Sequence, residues 1–310
     1  MKTPVAFIIF NRPDTTKRVF EAIRHAKPPK LLVIADGPRA DRPGEAEKCA
    51  AARAIIEGVD WECEVLTNYS DVNLGCKIRV SSGLDWVFSE VEEAIILEDD
   101  CLPEQSFFQF CELMLDHYSK DTRIMLITGS NPLRDWKSNI QSYHFSYYGG
   151  IWGWATWKRA WDFFDVNMLQ WGDAEIKYRV RDVLADEKQY KARKKIYETT
   201  YKGMIDTWDF QWSFIRLVQS GLSIVSSVNL ISNIGFNSDA THTKLSDSHL
   251  SNIPREQIQF PLKINTFVAV DRDYDKQLFL FLTKKFNILK KVRQKVNEIV
   301  MNIFKTSGFF

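Results

Sequence analysis

Cysteine is scarce in this chain, and its scatter excludes several chemistries at once. The five cysteines (Cys49, Cys63, Cys76, Cys101, Cys111) form no CxxC pair. An odd count at these spacings fits reduced thiols in the cytosol and speaks against Cys-ligated zinc. Long apolar runs are missing too: none reaches the roughly 18 to 20 residues that a bilayer span needs. The opening run VAFIIF is too short for a signal peptide and ends at Asn11-Arg12-Pro13. The expected location is therefore cytoplasmic, either soluble or peripheral on the inner face of the cell membrane. A charge excess is also lacking. Lys and Arg number 41 against 40 Asp and Glu, a formal net charge of +1, so nucleic acid is not an expected partner.

The familiar signatures of other α/β chemistries are absent as well. No GxGxxG follows the first apolar run, and no GxxxxGK[ST] occurs, which excludes the Rossmann dinucleotide turn and the P-loop. The first run ends in Asn11, where an aspartyl-phosphate phosphatase needs a nucleophilic Asp. There is no GxSxG elbow. Internal repeats and low-complexity segments are lacking.

What is present is an alternation. The 310 residues are 45% hydrophobic, enough for one large α/β domain or a domain with an appendage. PVAFIIF, KLLVIADG, CEVLTN, AIILEDD and RIMLITGS read as strands. The segments between them, beginning with PDTTKRVFEAIRHA under an Asp14 or Thr15 cap, read as helices. Crossovers of this length imply a mostly parallel sheet of right-handed βαβ units. After about residue 142 the texture changes to aromatics and glycine, then to polar helices, a strand LSIVSSV, and a loop SNIGFNSDATHT. The expected division is a catalytic domain over 1–270, with halves 1–130 and 131–270, and a tail over 271–310. In that tail Lys284, Lys285, Lys290, Lys291, Arg293, Lys295 and Lys305 face only Glu298. Its apolar residues recur at helical spacing, which suits an anionic membrane surface or packing on protein.

One junction asks for an explanation. In AIILEDDCLPE, a buried-strand pattern runs straight into Glu98, Asp99 and Asp100. The carboxyl ends of such strands are where open α/β sheets place ligands. Crowded carboxylates are hard ligands suited to Mn²⁺ or Mg²⁺ shared with substrate phosphates. That suggests departure of a diphosphate. A solvated turn with one Asp capping the next helix is the plainer alternative.

Here the chain resembles the GT-A fold glycosyltransferases, whose DxD or EDD motif at a central strand end holds the metal of a nucleotide sugar. LEDD followed by paired aromatics, FIIFNRPDTTKRVFEAI and GGIWGW most resemble the N-acetylglucosaminyltransferase I-like group, patchily over residues 4–243. The resemblance implies a mixed, mostly parallel sheet flanked by helices, with a C-terminal helical appendage. It implies a donor such as UDP-GlcNAc, a glycan or lipid-linked acceptor, and Mn²⁺ (or Mg²⁺). Asp100 is then the metal ligand, with His242 as a second ligand or a phosphate contact. Asp99 and Glu98 would contact ribose or donor-sugar hydroxyls, and Arg12 would face the diphosphate. Asp36 and Asp71 are candidates for base and ribose, with Asp71 favoured for the base, and Lys77 is a candidate for phosphate. Gly149, Gly150, Trp152 and Trp154 would line the donor sugar, whereas Trp157 and Trp161 suit the core. An inverting transfer needs a base, and DTWDFQW offers Asp209, with Asp206 as competitor. The group's second Asp is replaced here by Phe210 and Gln211. A retaining transferase and an inactive nucleotide-sugar-binding module at a membrane are the alternatives.

Overall fold

A computed structural model describes residues 1–236 and 250–283. The chain divides into two compact units, Met1–Asp271 and Arg272–Phe310. Of the second unit the described part, 272–283, is helical. The basic residues from Lys284 onward and the loop residue His242 lie outside the described residues.

The expected alternation is realised as β1 (Val5–Ile9), α1 (Pro13–Ala26), β2 (Lys30–Ala35), α2 (Glu45–Ala54), β3 (Glu64–Tyr69), α3 (Gly75–Glu90) and β4 (Glu93–Glu98). There follow β5 (Cys101–Pro103), α4 (Ser106–His117), β6 (Ile124–Thr128), β7 (Tyr143–Ser146), β8 (Trp154–Trp157) and α5 (Lys158–Trp161). The last are α6 (Ala174–Leu184), α7 (Glu187–Tyr201), α8 (Asp209–Val218), β9 (Leu222–Ser226) and β10 (Ile231–Asn233). The main sheet has eight strands in the order β3-β2-β1-β4-β8-β6-β9-β7, and β5 pairs with β10 in a separate ribbon. Within the main sheet only β8 and β7 run against the others. This is the expected mixed, mostly parallel sheet flanked by helices.

Strands β1, β2, β4 and β6 are apolar on both faces because both faces are covered. Val5, Phe7 and Ile9 join Val33, Leu97 and the α1 and α4 residues Phe20, Phe107 and Phe110 in one core. Ala6 and Ile8 join Ile34, Ile96 and the α3 and α8 residues Leu84, Val87 and Trp212 in the other. A third core, around Trp171, Tyr197 and Phe214, knits α6, α7 and α8 together. Each large side chain so buried contributes about 1.5–3 kcal/mol.

The sheet inserts a strand that the alternation did not announce, and one expectation about α1 is corrected. The fifth apolar run, β6, is separated from β4 by antiparallel β8. All four residues of β8 are buried, with Trp154 packed among Trp161, Trp208 and Trp212. And α1 has no side-chain cap: Arg12 is its N-cap residue and Pro13 starts it with a preset φ.

Candidate active site

The carboxyl ends of β1, β2 and β4 open on a cavity of about 370 Å³, lined among others by Arg12, Asp36, Glu98, Asp99, Asp100, Trp152 and Asp209. Register explains the meeting. Ile8 pairs with Ile34 and with Glu98, so Arg12, Asp36 and the acidic triplet emerge at one edge. The β5–β10 ribbon begins right after the triplet and sets Asn233 opposite Cys101. The Ile234 N–H then donates to the Asp100 carbonyl at 2.8 Å.

Arg12 answers the crowding of the acids. Its Nη1 donates to Asp100 Oδ2 at 2.8 Å, and its Nη2 donates to Asp99 Oδ1. Asp99, 2% exposed, also accepts the Phe10 N–H at 3.1 Å. Burial opposes the Arg12 charge, but Asp99 and Asp100 outweigh it and hold its proton more tightly than usual. Burial pushes the Asp99 carboxyl up against the pull of Arg12. Glu98 is pushed up by burial and then by repulsion from Asp100 and Asp99. Its Oε1 is buried without a hydrogen-bond partner among the described residues. One guanidinium therefore faces three carboxyl groups, and an unmatched acceptor remains.

That donor set suits a hard divalent cation held in part by the protein. No three His, Cys, Asp and Glu side chains converge into a cage among the described residues. Mn²⁺ or Mg²⁺ bound with a diphosphate needs only one or two carboxylates. Asp100, whose side chain is 13% exposed on the cavity, has the placement for this.

The two acids after β2 and β3 part company. Asp36 is buried and lines the cavity, but its oxygens are spent on the β3–α3 loop. Oδ1 accepts the Gly37 and Leu74 N–H groups at 2.9 Å each, and Oδ2 accepts Asn73 Nδ2 at 3.0 Å and the Gly75 N–H at 3.1 Å. Asp71 is exposed and lies away from the cavity, on a broad groove beside α2 and β3. Lys77 is not among the residues lining the cavity. Asn73, Arg39 and Arg79 do line it. Asn73 sits two positions after Asp71 in the same turn, but no local pattern marks it out from its neighbours.

In the Gly/Trp segment Ile151 and Trp152 line the cavity, and the Trp152 ring stands edge-on to Phe236 with centroids 5.7 Å apart. Trp154 is core, as are Trp157 and Trp161. The glycines serve packing: a Cβ on Gly149 would stand 2.5 Å from Ser223 Oγ, and one on Gly150 would stand 3.1 Å from Ser130 Cβ. Close approach there is to the protein's own side chains.

Asp209 opens α8 and lines the cavity from the second half of the chain. Burial raises its carboxyl above the usual range, against the hydrogen bond from Thr207 and the charge of Arg193. A carboxylate with that bias can take a proton from a neutral hydroxyl. Asp206 lines the cavity too, but it accepts two backbone N–H groups of α3.

No protein-family model and no curated protein sequence matches the chain. Solved structures are similar at low identity. The mannosyltransferase PcManGT from Pyrobaculum calidifontis, in complex with GDP-Man and Mn²⁺, is 10% identical, with 71% of this chain and 70% of that chain covered and a TM-score of 0.38. Mouse xyloside xylosyltransferase 1, apo form, is 8% identical, with 85% and 100% covered and a TM-score of 0.35. A UDP-glucose pyrophosphorylase complexed with UDP-glucose is 9% identical, with 75% and 93% covered and a TM-score of 0.37.

Proposed function

We propose that the protein is a metal-dependent glycosyltransferase. It moves a sugar from a nucleotide-diphosphate sugar, a UDP-sugar such as UDP-GlcNAc, to a glycan or lipid-linked acceptor with inversion. One observation carries this reading: a single cavity collects Arg12, the Glu98–Asp99–Asp100 triplet and Asp209 from three parts of the chain.

The roles follow from the chemistry of each group. Arg12 offers a planar fork of donors that suits phosphate oxygens as well as carboxylates. Glu98, with its unpartnered Oε1, accepts from donor hydroxyls. Trp152 offers a flat apolar face for sugar C–H groups. Asp209 takes the proton from the attacking acceptor hydroxyl. Mn²⁺ or Mg²⁺ bound at Asp100 would neutralise the charge that develops on a departing diphosphate.

The acceptor and the location belong to the same proposal. No described helix is long and apolar enough to cross a membrane. The basic tail from Lys284 onward is proposed to rest on an anionic membrane surface, where each near-surface cation contributes about 1 kcal/mol. Co-sedimentation with anionic liposomes at rising salt tests this, and binding indifferent to salt would defeat it.

For the reaction itself, nucleotide sugars should be offered with Mn²⁺ and no acceptor. Slow release of UDP from one of them, together with a thermal shift by the same sugar, is the expected result. A chain that hydrolyses and binds none of them is not a transferase of this kind.

A further inference from the structure

Helix α3 starts without a capping side chain of its own, since its N-cap residue is Leu74. The first N–H groups of a helix have no partner within it. Here two distant carboxylates divide them. The Leu74 N–H donates to Asp36 Oδ1 at 2.9 Å and the Gly75 N–H to Asp36 Oδ2 at 3.1 Å. The Cys76 N–H donates to Asp206 Oδ2 at 3.2 Å and the Lys77 N–H to Asp206 Oδ1 at 3.0 Å. Gly75 makes the second pairing possible. It has φ +77°, and a Cβ there would stand 2.9 Å from Asp206 Oδ2. Asp36 follows β2 on the donor side, whereas Asp206 lies in the loop that leads from α7 to Asp209. The loop's own backbone bonds, Met204 to Thr199 at 3.1 Å and Thr207 to Ile205 at 3.2 Å, stay on the acceptor side.

We infer that Asp206 is a positioning residue: it straps the loop before α8 to the start of α3, and so fixes Asp209 over the donor cavity. This rests on the glycosyl-transfer reading above. Asp206 is unsuited to be the base itself. Both of its oxygens already accept backbone N–H groups of α3. An Asn retains one acceptor oxygen, and an Ala retains none.

The test measures turnover, donor affinity and the pH profile for wild type, Asp206→Ala and Asp206→Asn. For Asp206→Ala, kcat should fall about tenfold or more, since small misplacements of reacting groups are costly. Donor Kd should change far less than kcat, because the strap acts chiefly on the placement of Asp209. Asp206→Asn should recover part of kcat, and the acid limb of the profile should stay in place for both. Amide exchange at Cys76 and Lys77 should quicken in Asp206→Ala. An unchanged kcat in Asp206→Ala, or an Asp206→Asn variant as inactive as Ala with its acid limb gone, would overturn the inference. A wild-type chain that turns over no nucleotide sugar would instead overturn the transferase reading on which it rests.

Discussion

Arg12 Nη1 donates to Asp100 Oδ2 at 2.8 Å, so the cation that the acidic triplet needs is already part of the chain. Gly235 is pressed against this pair: a Cβ there would stand 2.2 Å from Asp100 Oδ2 and 2.6 Å from Arg12 Nη1. On the proposed reading, the guanidinium and an incoming divalent ion would compete for the same carboxylate, and the charge balance that Arg12 supplies would set a cost for metal binding that the diphosphate must offset.

Replacing Arg12 separates these effects. Arg12→Ala should bind Mn²⁺ alone more tightly than wild type does, yet bind UDP with Mn²⁺ more weakly. Titration of Mn²⁺ by its paramagnetic resonance, with and without UDP, checks both. Apo stability should drop on the order of 3 kcal/mol, because Asp99 is left as a buried charge without its partner. Arg12→Lys should restore stability only in part, since an ammonium cannot span two carboxylates as a fork does.

Asp100→Ala should abolish the metal dependence of UDP binding and leave the apo fold standing. Arg12 keeps Asp99 as its partner, and one repulsive neighbour of Glu98 is removed. Calorimetric titration of UDP with and without Mn²⁺, alongside the melting temperature, is the measurement. Unchanged metal dependence would remove Asp100 from the metal site.

His144 on β7 gives the fold an acid sensitivity that is separate from catalysis. It is 3% exposed, and burial lowers its pKa to about 3, with Asp271 opposing. The unfolded chain binds a proton near the ordinary value of about 6.5 that the folded chain refuses. Stability is therefore full above that value and falls as pH drops, by about 1.4 kcal/mol per pH unit, until the folded value is reached. His144→Leu should flatten the decline of the melting temperature between neutral pH and pH 4.

The strands that build the site were legible because each is a continuous apolar run between turn signals. Val5–Ile9 and Ala94–Leu97 needed no long-range knowledge. Strand β8 was not legible. WATW carries two tryptophans three positions apart, and only pairing with β4 and β6 reveals that the whole segment is interior. For the same reason Trp152 and Trp154 looked equivalent in sequence, whereas one faces the cavity and the other is core. Arg12, the triplet and Asp209 stand at strand and helix ends, and their convergence on one cavity is what the structure adds. Asp36 and Asp71 both follow strands, and which one turns inward depends on how the β3–α3 loop folds back on Gly37. A Cβ on Gly37 would meet the Val72 backbone carbon at 2.5 Å. The hold of Asp206 on α3 joins residues about 130 apart, beyond any local pattern.

Asp209→Asn supplies the sharpest test, because its effects on activity and stability carry opposite signs. As a base, Asp209 works only when ionised. Its carboxyl is raised, by burial first, so activity should fall on the acid side at a pH above the ordinary carboxylate range. In Asp209→Asn, turnover should drop about 10²-fold or more and that acid limb should vanish, while UDP affinity stays near wild type. Stability runs the other way. A carboxyl raised on folding contributes stability that is fully present below its unfolded value and is lost as pH rises through its folded value. At neutral pH the ionised side chain is therefore a burden, and the amide should raise the melting temperature there. Below the ordinary carboxylate range the amide should confer no such gain. Melting curves at pH 3.5 and 7.5, beside the pH–rate profiles, measure all of this. A variant that is nearly fully active and no more stable would show Asp209 to be neither the base nor a strained charge.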